Sequence, residues 1–191
     1  MPIQFFPILV RNKMADHFLQ ARQLLPNMPE EIFELWFDGR IRSNRWPPQT
    51  DTWSAVLRYK PIGYWRRLEW SKQSLLLEYD RFSEASRLII DSLAAAYFHG
   101  KSNEISEYMG NQSLEKFISI LKYVEANRRL PNPLILLLDD NVFEIADGSH
   151  RLTVFFKLLG DPKTQNLLEN HQLAWVGLPC VGVPFLTRLR T

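Results

Sequence analysis

An uninterrupted apolar run from Leu134 to Leu138 constrains the fold more than any other feature of this sequence. Runs of this length without polar alternation are typical of buried strands. The triplet Asp139-Asp140-Asn141 follows with turn-forming residues, and Val142 to Ala146 has the composition of a return strand. The sequence therefore predicts a buried β-hairpin over residues 134–146.

The next five residues, Asp147-Gly148-Ser149-His150-Arg151, predict a sharp turn into a helix over about Leu152 to Leu159. Gly148 can adopt the positive φ that so tight a reversal needs. The Asp147 carboxylate is placed to accept from backbone N–H groups, as helix caps do. The remaining N–H groups at the helix start point outward with the positive end of the helix dipole, so the turn favours an anion.

Three side chains in this turn add chemistry to its backbone. Arg151 supplies a cationic fork that suits phosphate oxygens, and His150 supplies a donor that titrates near neutral pH. Ser149 is small enough to let a ligand approach the backbone. The plainer alternative is that Asp147 merely caps the helix and no ligand binds. Ser149 and His150 are sequence neighbours whose side chains diverge, so they do not form a nucleophile–base dyad.

The elements around this turn occur in a characteristic order. A strand led by Pro133, a turn and a second strand run into Asp147 to Leu152, which reads D-G-S-H-R-L. A helix predicted from a Ser113 cap to Asn127 precedes them, and a strand within Leu178 to Val183 follows. This order resembles the ParB/sulfiredoxin-like superfamily, whose members typically carry a D-G-x-H-R-L or G-x-x-R turn. The resemblance covers about residues 110–185.

The resemblance implies an α+β fold with a small, mixed, partly barrel-like sheet and packed helices. Residues 101–191 would form the phosphate-binding core. Residues 1–100 would form an N-terminal helical and Trp/Arg-rich extension packed on it, unless the whole chain is one continuous domain. A chain that ends at Thr191 leaves no room for the DNA-reading helices of partition proteins, so we expect none.

The same resemblance implies a function. Members bind nucleotide phosphates at this turn, so Gly148, Ser149, His150 and Arg151 would face the phosphates of CTP, ATP or ADP, with or without Mg²⁺. If the protein is an enzyme, Asp147, His150 and Arg151 would act in phosphoryl transfer or phosphodiester hydrolysis. The ligand would be a nucleotide or a phosphorylated small molecule.

Cysteine use separates this chain from the sulfiredoxins. They carry a cysteine within the turn where this chain has Ser149, so thiol-based reduction of an oxidised partner is not expected. The single cysteine, Cys180, is expected in the core of the last strand. One cysteine allows no intramolecular disulfide, which favours a reducing, cytoplasmic location. The apolar N-terminus lacks the features of a signal peptide and is too short to span a bilayer, so no membrane partner is expected.

Residues 36–70 favour an alternative function. They hold five of the six tryptophans together with six arginines. Aromatic rings can stack on bases and arginines can neutralise phosphates, as in a non-catalytic nucleic-acid-binding module. The other interpretation is that the tryptophans anchor a loop-rich subdomain and the arginines are solvated or ion-paired. The residues are Trp36, Trp46, Trp53, Trp65 and Trp70, with Arg40, Arg42, Arg45, Arg58, Arg66 and Arg67.

A metal site has little support in the sequence. The four histidines are scattered and none has zinc-ligand spacing. Asp139 and Asp140 could hold Mg²⁺ with a nucleotide, but a hairpin turn explains them equally well. Glu144 could be a solvated strand residue or a catalytic carboxylate near the turn. The net charge of +2 does not by itself indicate a nucleic-acid partner.

Local patterns predict the remaining elements. The predicted helices are Phe18 to Leu25, broken at Pro26–Pro29, a short helix from Pro29 that ends at Asp38-Gly39, a helix from Asp80 to His99 and a short helix near Thr164–Asn170. Strands are predicted over Trp53–Tyr59 and Ser74–Tyr79. The helix that ends at Asn127 has a predicted buried face of Leu114, Phe117, Ile118, Leu121 and Val124.

Overall fold

A four-stranded mixed sheet organises the protein, whose computed structural model describes residues 18–44, 56–99 and 111–180. The strands are β1 (Leu68–Leu76), β2 (Leu134–Asp139), β3 (Val142–Asp147) and β4 (His171–Pro179). Their order across the sheet is β1-β4-β2-β3, with β4 and β2 parallel and the outer pairs antiparallel. The predicted α+β class is confirmed, and the sheet is open, with β1 and β3 at its edges.

Helices lie on both faces of this sheet. They are α1 (residues 18–24), α2 (Glu30–Ile32, continuing through π-helical Phe33–Phe37 into Asp38–Asn44), α3 (Ile62–Trp65), α4 (Glu84–Ala94, continuing as π-helical Ala95–His99), α5 (Asn111–Asn127) and α6 (Ser149–Gly160). Short 3-10 turns occur at Tyr79–Arg81 and Gln165–Leu167. In the described ranges, no helix is long and apolar enough to cross a membrane.

The predicted hairpin forms as expected, and both of its faces are buried. Leu134 and Leu136 pack into a core with α4, α5 and α6, whereas Ile135 and Leu137 pack into a second core with α1 and α2. Successive residues of a strand point to opposite faces, so a strand covered on both sides needs an unbroken apolar run. The first core includes Phe82, Ile90, Phe117, Val124, Leu152 and Phe155, and the second includes Leu25, Ile32, Phe33, Phe37 and Trp65.

The hairpin turn has favourable backbone dihedrals, and the outer edge of β3 has hydrogen-bond partners. Asp140 and Asn141 have φ values of 46° and 63°, the left-handed pair that two-residue hairpin turns need. Along the edge, the Ser83 N–H donates to the Phe143 carbonyl at 2.8 Å, and the Ile145 N–H donates to Ser86 Oγ at 3.0 Å. The start of α4 therefore closes an edge that would otherwise expose unpaired backbone groups.

Three predicted helix boundaries that precede the hairpin are wrong. The helix after Pro29 continues through Asp38-Gly39 to Asn44, because a π-helical turn keeps its backbone hydrogen-bonded. The Asp80 residue lies in the 3-10 turn, and Ser83 caps α4 by accepting from the Ser86 N–H at 3.2 Å. Helix α5 begins at Asn111, before the predicted Ser113 cap.

One predicted helix face is also wrong in detail. In α5, Ile118 is 41% exposed and Ile120 is buried in its place beside Phe117 and Val124. A helix has 3.6 residues per turn, so a small rotation of the predicted apolar face about the helix axis exchanges Ile118 for Ile120.

Outside the hairpin, one predicted strand is absent from its described residues and two have wrong bounds. Residues 56–59 begin as a helix end and continue as a turn, whereas a strand is predicted there. The first strand begins at Leu68 and ends at Leu76, before the predicted Tyr79. The last strand begins at His171, and Leu178 is nearly at its end. Predictions for Trp46, Trp53, Gly100 and residues 181–183 lie outside the described residues.

Candidate functional site

The turn between β3 and α6 has the backbone that the sequence predicts. Gly148 has φ +106°, and α6 begins at Ser149, one turn before the predicted start at Leu152. A Cβ atom at Gly148 would lie 2.7 Å from Leu134 Cδ2 and 3.0 Å from Arg151 Nη2. The first N–H groups of a helix have no intrahelical acceptor. Among the described residues, no side chain caps them here, which leaves an anion-favouring helix end.

A shift in strand register determines which way Asp147 points. Leu136 pairs with Ile145, but Ile135 pairs with Asp147, so Ala146 is an extra residue in β3, as in a β-bulge. Without the shift, Asp147 would share a face with Ile145. With it, Asp147 lies opposite Ile135, on the side of the sheet that α2 covers. The bulge therefore turns the carboxylate toward the N-terminal part of the chain.

Asp147 contacts two arginines there and does not cap α6, which corrects the cap expected from the sequence. Arg151 Nη2 donates to Asp147 Oδ2 at 2.8 Å, one helical turn along. Arg40 Nη2, from α2, lies 3.8 Å from Asp147 Oδ1. The Arg151 side chain is 12% exposed and the Arg40 side chain is 43% exposed. Arg151 is thus held firmly, while Arg40 is loosely paired and open to solvent.

A third arginine reaches the same place from the turn before α3. Arg58 donates through Nε and Nη2 to the Ala146 carbonyl at 3.2 and 3.1 Å. Burial lowers the pKa of Arg58, and the nearby Asp147 and Glu144 carboxylates oppose that shift. The Lys60 Nζ lies 2.9 Å from Glu144 Oε2, so Glu144 is ion-paired rather than simply solvated.

His150 lies on the other side of the turn. Its Nδ1 is 3.2 Å from the Tyr97 hydroxyl, and the Tyr97 ring stacks on Phe117 of α5 at 4.2 Å. Burial holds the pKa of His150 below its ordinary value, and the positive charge of Lys116 lowers it further. Ser149 contributes its carbonyl, which accepts from Thr153 Oγ1 at 2.9 Å. His150 is therefore neutral near pH 7, with one nitrogen held by Tyr97.

The described charges around the turn do not balance. Arg40, Arg58 and Arg151 surround the single carboxylate of Asp147, and the neighbouring Lys60 and Glu144 neutralise each other. A surplus of two positive charges therefore remains beside the uncapped end of α6. We call Arg40, Arg58 and Arg151 the arginine cluster. Arg40 and Arg58 belong to the Trp/Arg-rich stretch, and no sequence pattern connects them to Asp147, because the bulge and the packing of α2 bring these residues together.

The tryptophans of the same stretch are structural where they are described. Trp36 and Trp65 are buried in the second core, with ring centroids 5.0 Å apart, and Trp70 is partly buried against it.

Cys180 is exposed, contrary to the expected core position, and the pKa of its thiol is raised by a hydrogen bond to Glu69.

The candidate metal ligands are distant from the turn. Asp139 and Asp140 are exposed at the tip of the hairpin, at the other end of β3 from Asp147. A six-residue strand separates its ends by about 17 Å, so these carboxylates cannot share one ion with a phosphate at the turn. In the part of the chain that the structure describes, no three His, Cys, Asp or Glu side chains are grouped to hold a metal ion.

A separate surface cleft of about 340 Å³ lies between α4 and α6. Asp91 accepts a 2.6 Å hydrogen bond from the Tyr79 hydroxyl there, and burial together with this bond raises the pKa of Tyr79 to about 12. The lining residues are Tyr79, Ile90, Asp91, Ala94, Thr153, Phe156 and Lys157. All of them come from outside the 147–151 turn, so the cleft and the arginine cluster are different places.

No protein-family model, no curated protein and no solved structure matches this chain.

Proposed function

We propose that the protein binds the phosphate of a nucleotide or of a phosphorylated small molecule at the start of α6. One observation carries the proposal: two arginines contact the single Asp147 carboxylate, and a third is bonded to the preceding Ala146 carbonyl, beside a helix end that lacks a side-chain cap. Backbone N–H groups at a helix start and arginine forks are both well suited to binding phosphate. The ParB/sulfiredoxin-like resemblance of the D-G-S-H-R-L turn agrees with this chemistry.

The three arginines would have different roles, because they are held with different firmness. Arg58 is fixed to the Ala146 carbonyl and supplies positive charge near the turn without contacting the phosphate. Arg40 is exposed and lies 3.8 Å from Asp147, so it can move from the carboxylate to a phosphate oxygen at small cost. Arg151 keeps Asp147 in place, and its Nε is buried without a hydrogen-bond partner among the described atoms. A phosphate at the helix end would therefore be held chiefly by Arg40 and the first amides of α6.

His150 is the candidate acid–base group. Because its pKa is lowered, it is neutral near pH 7 and can accept a proton from an attacking water or hydroxyl. Tyr97 contacts Nδ1, which leaves Nε2 as the nitrogen for the ligand. These groups suit phosphoryl transfer or phosphodiester hydrolysis with CTP, ATP or ADP, with Mg²⁺ brought by the nucleotide. Asp147 then acts as the counter-ion that orients Arg151.

A thermal-shift panel with pyrophosphate, CTP, ATP and ADP, each with and without Mg²⁺, tests the proposal. A ligand at 100 times its dissociation constant stabilises the folded state by about 2.7 kcal/mol, so a rise in Tm of several degrees is expected. Arg40→Gln should abolish most of that rise. Arg66→Gln is the matched control, because Arg66 is an exposed arginine of the same stretch. Equal shifts in both variants would mean that the anion binds elsewhere.

The alternative, a nucleic-acid-binding module, predicts a different result. Single-stranded DNA or RNA would bind with an affinity that falls steeply with salt, and mononucleotides would leave Tm unchanged. Trp36 and Trp65 are buried, so these two rings are not available to stack on bases in such a module. Measuring polynucleotide affinity at two salt concentrations beside the thermal-shift panel separates the two functions.

A further inference from the structure

Tyr59 is the most exposed large hydrophobic side chain among the described residues, at 82% exposure. Its neighbours hold it beside the phosphate turn. Arg58 is attached to the Ala146 carbonyl and Lys60 to the Glu144 carboxylate. These two points are two residues apart on β3, or about 7 Å along the strand. Tyr59 therefore lies beside the end of β3 that leads into Asp147.

The backbone at this position is unusual. Arg58 and Tyr59 have φ values of 52° and 55°, so two consecutive residues that are not glycine are left-handed. Each such residue costs about 1 kcal/mol, and for a bulky aromatic residue the conformation is a genuine outlier. The Arg58 and Lys60 side chains are anchored, whereas the Tyr59 ring is turned into solvent. The local structure thus presents an aromatic ring next to the arginine cluster.

We propose that Tyr59 stacks on the ring of the ligand whose phosphate binds at the turn, which makes it a specificity-determining residue for ring-bearing phosphates. This inference rests on the proposed function. In a nucleotide a pentose separates the phosphate from the heterocycle, so in this proposal the heterocycle would lie on Tyr59 while the phosphate binds at the start of α6. An aromatic heterocycle offers a flat face for stacking, while a ringless polyphosphate offers only charge. The ligand that fits this arrangement is a mononucleotide.

The experiment compares tripolyphosphate with a nucleoside triphosphate by isothermal titration calorimetry at one salt concentration. Three proteins are used: wild type, Tyr59→Asn and Tyr59→Phe. Asparagine tolerates the left-handed backbone and removes the ring, and phenylalanine keeps the ring. Because Tyr59 is exposed, both variants should fold, and their far-ultraviolet circular dichroism confirms it.

We expect wild type to bind the nucleoside triphosphate about tenfold more tightly than tripolyphosphate, as one stacked base contributes. Tyr59→Asn should remove that tenfold advantage and leave tripolyphosphate affinity unchanged. Tyr59→Phe should retain the advantage. If tripolyphosphate binds but Tyr59→Asn keeps the advantage, or if Tyr59→Phe loses it, stacking on Tyr59 is overturned while the phosphate site stands.

Two further outcomes complete the test. If neither ligand binds wild type, the proposed function fails, and the role of Tyr59 fails with it. If a short single-stranded oligonucleotide binds more tightly than the nucleoside triphosphate and loses that affinity in Tyr59→Asn, the mononucleotide assignment is overturned in favour of a polynucleotide. Arg40→Gln should weaken both tripolyphosphate and the nucleotide, which distinguishes loss of charge from loss of the ring.

Discussion

The Arg151 guanidinium donates to the Asp147 carboxylate at 2.8 Å, across one turn at the junction of β3 and α6. The two residues are four positions apart, and the left-handed Gly148 between them lets the strand fold back into the helix. This pair places a negative charge beside the start of α6, where the helix dipole favours it. An anionic ligand at the start of α6 would compete with this carboxylate for its more loosely held arginine, Arg40.

Asp147→Asn should therefore lower stability and strengthen anion binding together. The change removes the counter-ion of a mostly buried arginine, which costs about 1.5–3 kcal/mol for a hydrogen bond to a charged group. Urea denaturation measures the loss. Pyrophosphate should then raise the Tm of the variant more than that of wild type, because no carboxylate competes with it. Asp140→Asn, at the exposed hairpin tip, is the control, and an equal loss there would contradict the interpretation.

Gly148→Ala should destabilise the protein by about 1–3 kcal/mol, the cost of a residue held in a sparsely populated backbone region. The added Cβ would also meet Leu134 Cδ2 at 2.7 Å, so a core side chain would have to move. Gly63→Ala is the matched control, because a Cβ there meets nothing within 4 Å and alanine favours helices. Thermal unfolding of both variants should separate them by several degrees. A similar Tm for both would show that the turn can relax.

The hairpin and its exit turn could be predicted because their determinants are local. An apolar run, a turn triplet and a glycine before a helix each carry their own signal over a few residues. The start of β4 could not be predicted this way. Gln172 is buried there, and its amide is satisfied by the Leu130 N–H at 2.9 Å and the Glu169 carbonyl at 2.6 Å. A buried polar residue that depends on a partner as distant as Leu130 looks like a loop residue in the sequence.

Only those residues of the candidate site that are close together in the sequence could be predicted. The residues from Asp147 to Arg151 lie where the sequence predicts an anion-binding turn, but the role of Asp147 as a counter-ion depends on Arg40, more than 100 positions earlier. The bulge at Ala146 has no sequence signal of its own, and it decides which face Asp147 joins. Contacts of this separation follow from tertiary packing rather than from periodicity.

Ser86→Ala should destabilise the protein although it removes a single oxygen. Ser86 is 2% exposed, and its Oγ accepts from the Ile145 N–H on the edge of β3. Alanine would leave that N–H buried without an acceptor, which costs about 1–3 kcal/mol. Ser74→Ala, at an exposed position of β1, is the control and should change the unfolding free energy by less than about 0.5 kcal/mol. Hydrogen exchange at the Ile145 amide should quicken in Ser86→Ala alone.

His150 should make stability depend on pH in a direction that its surroundings determine. Its pKa in the folded protein lies below the unfolded value of about 6.5, so the unfolded chain binds the proton more readily. The contribution to stability is full above pH 6.5 and is lost as pH falls through the folded pKa. Urea denaturation at pH 7.5 and pH 5.5 should show a smaller loss for His150→Gln than for wild type. An equal loss in both proteins would assign the pH dependence to other groups.

Replacing Lys116 tests what lowers the pKa of His150. Burial contributes most to the lowered pKa of His150, and the positive charge of Lys116 contributes next. Lys116→Gln should therefore raise the midpoint of the His150 ring-proton titration by NMR, because burial remains while the repulsion goes. Lys122→Gln removes the same charge from an exposed position of α5 and is the matched control. A higher midpoint would also reduce the fraction of His150 that is able to accept a proton at pH 6, since more of it would already carry one. If both variants shift the midpoint equally, the effect comes from net charge rather than from the position of Lys116.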